Sequence, residues 1–174
     1  MNLANKLTML RVVLIPVFLA VLYLGFPGSN YVAMGIFIIA SLTDIADGYI
    51  ARRRGQVTDF GKFTDPLADK ILVVSAMLWF VERNTMPAWV ALTVIVREFM
   101  VTALRLVAVG KGRVIAAELS GKIKTAVTMV CLTAMHVVNE RWIVNIFLGA
   151  ISLTTVVSGI EYYVKNIDVL KQDS

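Results

Sequence analysis

Long apolar runs without a charged side chain recur from one end of this chain to the other. Hydrophobic residues make up 58% of its 174 positions, whereas roughly half is usual in a soluble domain. A helix that crosses a bilayer needs about 20 mostly apolar residues, and it satisfies its backbone hydrogen bonds internally. The pattern therefore predicts an all-α integral membrane protein. The charge-free runs are Val12–Thr43, Ile71–Val81, Asn84–Val96, Thr125–Asn139 and Trp142–Ile160.

The turn sequence GFPGSN, at residues 25–30, divides the first of these runs into two. Allowing charged residues near the ends, we predict six transmembrane helices. No linker, repeat or low-complexity segment interrupts them, so residues 1–174 are predicted to form a single transmembrane domain. The six predicted helices cover residues 5–25, 31–53, 63–82, 87–109, 121–138 and 141–164.

Basic residues are divided unequally between the two ends of these helices. Only Arg83 and Arg141 fall at one side, and the positive-inside rule places the opposite side, with both termini, in the cytoplasm. The net charge of +5 is therefore mostly a topology signal. No aromatic-rich polar segment accompanies these residues, so no nucleic-acid-binding module is expected. The cytoplasmic set is Lys6, Arg11, Arg52, Arg53, Arg54, Lys62, Lys111, Arg113, Lys122, Lys124, Lys165 and Lys171.

The chain has one cysteine and one histidine, both within an apolar run. Cys131 has no partner for an internal disulfide, and a buried thiol is the usual state of such a residue. His136 has no second histidine or cysteine nearby, so we predict a packed or interfacial ring rather than a metal ligand.

Four aspartates lie at the ends of two apolar runs, and membrane topology does not explain them. Asp44 and Asp47 are three residues apart at the end of the second predicted helix, and Asp65 and Asp69 are four apart near the start of the third. Such spacings place each pair on one helix face. Pro66 fits a helix best in its first turn. A short connection predicts antiparallel neighbouring helices, with the four carboxylates converging near the cytoplasmic surface.

Carboxylates that share a site repel each other, so protons or cations must lie among them. Ligation by oxygen alone suits Mg²⁺ or Mn²⁺ better than zinc. Two divalent cations held by shared carboxylates are used for displacement at phosphorus, which implies a phosphate-bearing ligand. Gly48, Ala51 and Gly61 would leave space for that ligand, although small residues also allow membrane helices to pack closely.

Eight residues at fixed spacing resemble, at every position, the signature of the CDP-alcohol phosphotransferase family. The segment NKLTMLR with Pro16 resembles the family's first helix, while REF at 97–99 and GKIKT at 121–125 resemble bacterial members that use glycerol 3-phosphate. Thr64 departs slightly, since an apolar residue is expected there. The signature reads Asp44-x2-Asp47-Gly48-x2-Ala51-Arg52-x8-Gly61-x3-Asp65-x3-Asp69.

The resemblance implies a catalytic domain that transfers the phosphatidyl group of CDP-diacylglycerol to an alcohol and releases CMP. It implies a multi-pass, CDP-alcohol phosphotransferase-like bundle in the bacterial cytoplasmic (inner) membrane, forming a homodimer with its active site facing the cytoplasm. It assigns Asp69 as the base that deprotonates the acceptor. It assigns two divalent cations to Asp44, Asp47, Asp65 and Asp69, and CDP contacts to Thr43, Asp47, Gly48, Ala51, Arg52 and Gly61.

Glycerol 3-phosphate, the predicted acceptor, is an anion and requires cations. Arg97 lies nearly mid-span, where an arginine is costly unless it is paired or faces a polar cavity. Glu98 is predicted not to face Arg97, since adjacent helix positions diverge. Arg105 shares a helix face with Arg97. The predicted anion pocket comprises Arg97, Arg105, Arg113, Lys122 and Lys124, the last three of which topology alone also explains.

Three alternatives stay open at the level of sequence. A sister transferase would use serine or an inositol phosphate as the acceptor. A cation transporter would carry its carboxylates near mid-membrane and on several helices. A peripheral lipid-binding protein would explain the basic loops but not the carboxylates. Trp79, Trp89 and Trp142 are predicted to be exposed, as interface anchors.

Overall fold

The computed structural model describes the backbone of residues 3–54, 59–116 and 118–171, and the side chains of residues 9–43, 67–68, 70–116 and 118–169. Every regular element in these ranges is helical, so the all-α prediction is confirmed for this part of the chain. The helices are α1 Leu3–Leu24, α2 Ser29–Arg54, α3 Asp59–Glu82, α4 Ala88–Gly110, α5 Leu119–Met135, α6 Arg141–Asn166 and the four-residue α7 Asp168–Lys171.

The six long helices coincide with the six predicted ones, and the largest difference is at the start of the third. Helix α3 begins at Asp59 rather than at residue 63, so Pro66 is its eighth residue. The expectation that Pro66 lies in the first turn is therefore wrong. Proline cannot donate a hydrogen bond to the carbonyl four residues earlier, so α3 continues through this position with one ladder bond missing.

The GFPGSN segment forms the predicted turn between α1 and α2. Gly25 and Gly28 have φ angles of 60° and 88°, in the left-handed region that glycine adopts without a steric penalty. The amide of Ser29 donates to the carbonyl of Phe26 at 2.9 Å and closes the turn. Glycine at these two positions therefore decides where the first apolar run breaks.

Within the described residues, one helix is long and apolar enough to cross a membrane, namely α6, which has 26 residues and contains an 18-residue stretch with a mean hydropathy of 2.0. Shorter apolar stretches occur at Met9–Leu24 and Ser29–Thr43. Helix α4 carries Arg97, Glu98 and Arg105 within its 23 residues. The six-span topology and the orientation of the termini thus stay predictions.

The chain divides into two compact units, and the first comprises residues 1–80 and 132–139. In this unit the His136 ring, 3% exposed, lies 5.7 Å from Phe18, 5.9 Å from Phe37 and 4.9 Å from Phe80 between ring centres. The prediction of a packed histidine is confirmed. Trp79 is only half-exposed because its ring packs edge-on against Tyr23 at 5.0 Å, so the prediction that it is exposed is wrong.

The second unit comprises residues 81–131 and 140–174. Helix α4 packs against α6 and α7, and the core of this packing includes Leu104, Ala108, Tyr162 and Val169. Cys131 is buried, as predicted. The prediction of one catalytic domain over residues 1–174 stays a prediction.

Helix α4 ends in a Schellman motif. The amide of Gly112 donates to Val109 at 2.9 Å, and that of Arg113 donates to Ala108 at 2.8 Å. Gly112 has φ 72°, which this motif requires after the last helical turn. The motif stops α4 and directs Arg113 towards the C-terminal end of the second unit, where it pairs with Asp168.

Candidate active site

The whole aspartate signature lies on two helices. Residues 44–52 belong to α2 and residues 61–69 belong to α3. Since positions three or four apart share a helix face, the helical backbone supports the predicted pairing of Asp44 with Asp47 and of Asp65 with Asp69. The side chains of all eight signature residues lie outside the described residues, so their convergence stays a prediction.

The chemistry of this donor set fits a hard divalent cation. Four carboxylates offer only oxygen ligands, which Mg²⁺ and Mn²⁺ prefer and which zinc sites usually supplement with cysteine or histidine. Among the side chains that the structure describes, which exclude these aspartates, no group of three His, Cys, Asp or Glu residues could hold a metal. The signature is therefore the candidate metal site of the chain.

Thr43 is the one predicted CDP-binding residue whose side chain is described. It is half-buried, and its hydroxyl donates to the carbonyl of Ala40 at 2.7 Å. A hydroxyl that donates one hydrogen bond can still accept others. This geometry leaves the Thr43 oxygen able to accept a hydrogen bond from a ligand.

Three charged side chains of α4 and α5 meet in the second unit, and we call Arg97, Glu98 and Lys124 the Glu98 cluster. Glu98 Oε1 lies 3.0 Å from Arg97 Nη1 and 2.6 Å from Lys124 Nζ. The prediction that Glu98 cannot face Arg97 is wrong, because the long guanidinium arm bends round to the adjacent carboxylate. Arg97 is thus paired, which is one of the two arrangements predicted for it, while its position within a membrane span stays a prediction.

Among the described contacts, the Glu98 cluster carries one positive charge in excess, since Arg97 and Lys124 share the Glu98 carboxylate. The side chains of Arg97 and Lys124 are only 11% and 5% exposed. Charged groups withdrawn from water require compensation by an opposite charge and by hydrogen bonds. An excess cation in such surroundings favours an anionic ligand, which makes the cluster a candidate anion site.

Arg105 has a different environment, although it lies on the same helix. Its Nε donates to the hydroxyl of Tyr162 at 3.0 Å, and its guanidinium carbon lies 5.5 Å from the centre of that ring. Tyr162 is 2% exposed, whereas Arg105 is exposed. The buried tyrosine therefore holds an accessible guanidinium by a hydrogen bond and a cation–π contact.

Arg113 and Lys122 lie at the surface. Arg113 Nη1 is 2.7 Å from Asp168 Oδ2, and this hydrogen bond holds the pKa of the Asp168 carboxyl below its ordinary value. The described contacts thus join Arg97 and Lys124 through Glu98, and give Arg105 and Arg113 partners of their own. They do not join the five basic residues into one pocket.

A cleft of about 480 Å³ opens between α4 and α6, also within the second unit. Apolar side chains such as Val96, Met100 and Ile160 form most of its wall. Arg97 is its one charged lining residue, and Thr155 is a fully buried polar one. The cleft therefore gives Arg97 an apolar wall on the side of α6.

Sequence reasoning missed the roles of two residues here, Glu98 and Tyr162, which hold the predicted cations. In the first unit, Arg11 was assigned to membrane topology, but its side chain is 0% exposed. The sequence did contain a signal for the role of Glu98: it adjoins Arg97 within a predicted span, and a buried arginine needs an acidic partner. Nothing in the local sequence distinguishes Tyr162 from Tyr163 beside it.

A family model described as CDP-alcohol phosphatidyltransferase matches residues 1–158 of the chain. The match covers all the signature residues on α2 and α3, together with the Glu98 cluster on α4 and α5. The chain belongs to the CDP-alcohol phosphatidyltransferase family. This family is membrane-associated, and its members generally depend on a divalent cation.

Curated relatives extend over most of the chain. A Bacillus subtilis protein called CDP-diacylglycerol--glycerol-3-phosphate 3-phosphatidyltransferase is 41% identical, with 98% of this chain and 97% of the relative covered. Proteins of the same name from Salmonella typhimurium and Escherichia coli are 44% and 43% identical, with 75% of this chain and 74% of each relative covered.

Proposed function

We propose that this chain transfers the phosphatidyl group of CDP-diacylglycerol to sn-glycerol 3-phosphate, giving phosphatidylglycerophosphate and CMP. The observation that carries the proposal is the eight-residue signature, which lies entirely on the helical backbone of α2 and α3. The relatives at 41–44% identity, whose names state this reaction, support the choice of acceptor.

In this proposal two divalent cations, Mg²⁺ or Mn²⁺, are held by Asp44, Asp47, Asp65 and Asp69. Such cations, when bound, neutralise the donor's diphosphate and stabilise the charge of the departing CMP. The four carboxylates would otherwise repel one another, so their pattern is best explained by a cationic partner.

The remaining signature residues would bind the CDP group of the donor. Gly48, Ala51 and Gly61 would leave space beside the backbone for the cytidine. Arg52 would pair with the diphosphate through charge-assisted hydrogen bonds. Thr43 and Asp47 would add further contacts to the nucleotide.

Asp69 would act as the general base. As the acceptor's hydroxyl oxygen attacks the β-phosphorus in line, its proton passes to the Asp69 carboxylate. The bond from that phosphorus to the CMP oxygen breaks, and CMP leaves with the electron pair. Asp69 is the signature residue farthest along α3 from the start of the signature, where the other carboxylates are expected to crowd. This position favours it for the role.

The acceptor's phosphate would be bound by basic residues of the second unit. The positive excess and burial of Arg97 and Lys124 support this assignment most directly. Arg105 would add an accessible guanidinium held by Tyr162. Arg113 and Lys122, at the surface, would attract the anion from solution.

We place the chain in the cytoplasmic membrane as a homodimer, with six spans, both termini in the cytoplasm and the active site at that face. The exposed apolar side chains of α6 support contact with lipid, because a soluble surface rarely carries such a row. They include Leu153, Val157, Ile160 and Val164, each more than half exposed. The excess of basic residues at the predicted cytoplasmic ends supports the orientation.

The proposal is tested by CMP release from the purified protein in detergent with CDP-diacylglycerol and Mg²⁺. Glycerol 3-phosphate, serine and inositol phosphate are added in separate reactions, with EDTA as a control. We expect release with glycerol 3-phosphate alone, and its loss in EDTA.

Each other outcome corrects a different part of the proposal. Release with serine or inositol phosphate would keep the aspartate chemistry and remove the assignment of the acceptor. Release that persists in EDTA would contradict the metal site. An absence of release with every acceptor, from protein that still binds CDP-diacylglycerol, would contradict the transferase assignment.

A further inference from the structure

The side chain of Arg97 runs between two glycines that belong to other helices. A Cβ atom added to Gly159 of α6 would lie 3.2 Å from Arg97 Cγ. One added to Gly121 of α5 would lie 3.1 Å from Arg97 Nη2. Both distances are shorter than ordinary van der Waals contact between such atoms. A side chain at either position would therefore require Arg97 to shift by a few tenths of an ångström.

Among the glycines that the structure describes, only Gly121 and Gly159 have an added Cβ atom this close to another side chain. A Cβ atom added to Gly149, on the same helix as Gly159, would meet nothing within 4 Å. Gly35 and Gly110 are equally open. Gly121 and Gly159 thus differ from Gly35, Gly110 and Gly149, because both lie against the side chain of Arg97.

The far end of Arg97 is fixed by charge. Its Nη1 donates to Glu98 Oε1 at 3.0 Å, and the same oxygen accepts from Lys124 at 2.6 Å. Arg97 Nε is buried and has no hydrogen-bond partner among the described residues. The Arg97 side chain is consequently confined along its stem by packing and at its tip by an ion pair, and its buried Nε has no described partner.

We propose that Gly121 and Gly159 are positioning residues for acceptor binding: they confine the Arg97 guanidinium beside Glu98 and Lys124, in the arrangement that binds the acceptor's phosphate. The inference rests on the proposed function for the identity of that anion. Arginine has several rotatable bonds, so confining it before the ligand arrives reduces the ordering that binding would otherwise require.

The direction of an alanine effect distinguishes this role from ordinary helix packing. Alanine has a higher helix propensity than glycine, so an unhindered Gly→Ala change within a helix stabilises it. Gly149→Ala should follow this rule. Gly121→Ala and Gly159→Ala should oppose it, because each new methyl group displaces Arg97.

The first measurement is thermal unfolding of the full-length chain in detergent. We expect Gly121→Ala and Gly159→Ala each to unfold about 3 °C below Gly149→Ala, as overpacking at a close contact predicts. In an Arg97→Ala background this difference should disappear, since the side chain in the way is gone. Equal unfolding of all three variants in the wild-type background would overturn the proposal.

The second measurement separates positioning from structure. We expect Gly121→Ala and Gly159→Ala to raise the KM for glycerol 3-phosphate about tenfold while kcat changes less than about threefold, because binding of the anion is what they disturb. An unchanged KM in variants that unfold earlier would overturn the positioning role. Failure of the wild-type chain to use glycerol 3-phosphate would instead overturn the proposed function, because the unfolding measurements do not involve that substrate.

Discussion

The Glu98 cluster and the Arg113–Asp168 pair place the same chemical groups in opposite surroundings. In both, an arginine lies within 3.0 Å of a carboxylate. The Arg97 side chain is 11% exposed, whereas those of Arg113 and Asp168 are 47% and 56% exposed. The sequence predicts that Arg97 and Arg113 belong to one anion pocket. In the structure, Arg97 belongs to a mostly buried cluster, whereas Arg113 belongs to a solvent-exposed ion pair.

This difference decides what each pair contributes. Two exposed charges stay hydrated and are screened by salt, so their attraction contributes little. A pair removed from water loses its hydration when the chain folds. Removal of one partner then leaves the other charge buried without compensation, which destabilises the fold. Variants in the Glu98 cluster should therefore have larger effects than variants in the Arg113–Asp168 pair. Variants in the catalytic machinery should have the largest effects of all.

The largest effect is expected for Asp69→Asn, which removes the proposed base and one metal ligand. We expect kcat to fall about a thousandfold, since an amide cannot accept the acceptor's proton. Unfolding temperature and CDP-diacylglycerol binding should change little, and they serve as controls for folding. Retention of full activity would show that Asp69 is not the base. The effects of variants in the Glu98 cluster and the Arg113–Asp168 pair could then not be compared with a catalytic loss at Asp69.

Neutralising Glu98 should give the larger of the two ion-pair effects. Glu98→Gln leaves two buried cations without their carboxylate, at a cost of about 3 kcal/mol, the lower end for a buried pair because Glu98 is a quarter exposed. The corresponding fall in unfolding temperature is about 6 to 12 °C. A fall no larger than that of Asp168→Asn would contradict the distinction by burial.

Arg105→Ala tests a cation that is exposed yet held by a buried ring. We expect the KM for glycerol 3-phosphate to rise about tenfold with kcat nearly unchanged, because a charge-assisted contact in the bound state is lost. Tyr162→Phe keeps the ring and removes the hydrogen bond at 3.0 Å, so it should give a smaller rise in KM. If neither variant changes the KM, Arg105 belongs with the surface charges.

The smallest effect is expected for Asp168→Asn. Because Arg113 lowers the pKa of Asp168 in the folded state, the pair stabilises the fold at pH values above the carboxyl's ordinary pKa of 3.8. At pH 7 the variant should unfold no more than about 2 °C earlier than the wild type. This difference should vanish as the pH falls below 3.8 and through the lower folded-state pKa. A difference that persists in acid would exclude the ion pair as its cause.

Much of the fold could be predicted from the apolar pattern, since each long helix of the described chain overlaps a predicted one. The break at Gly25 and Gly28 was equally predictable, because the turn sequence GFPGSN lies within the first run. The start of α3 was not, since Pro66 suggested a helix N-terminus where the helix in fact continues. The preference of proline for the first turn of a helix therefore did not decide where α3 begins.

The aspartate signature was determined by the sequence alone. Its information lies in spacing along two helices, and spacing is fixed by the regular geometry of the α-helix once the helices form. Residues at 44, 47, 65 and 69 can therefore be assigned to helix faces without knowledge of any contact between helices.

The surroundings of the basic residues were decided only by the tertiary structure. Arg97, Arg105 and Arg113 are the same residue type in neighbouring segments, yet one meets Glu98 and Lys124, one meets Tyr162 and one meets Asp168. Glu98 is adjacent on α4, but the other partners come from α5, α6 and the start of α7, up to 57 positions away in the chain. Long side chains have many rotamers, and which one is occupied depends on how the helices pack. The rotamer of Arg97 depends in this way on Gly121 of α5 and Gly159 of α6, which confine it only because both lie against its side chain in the folded chain.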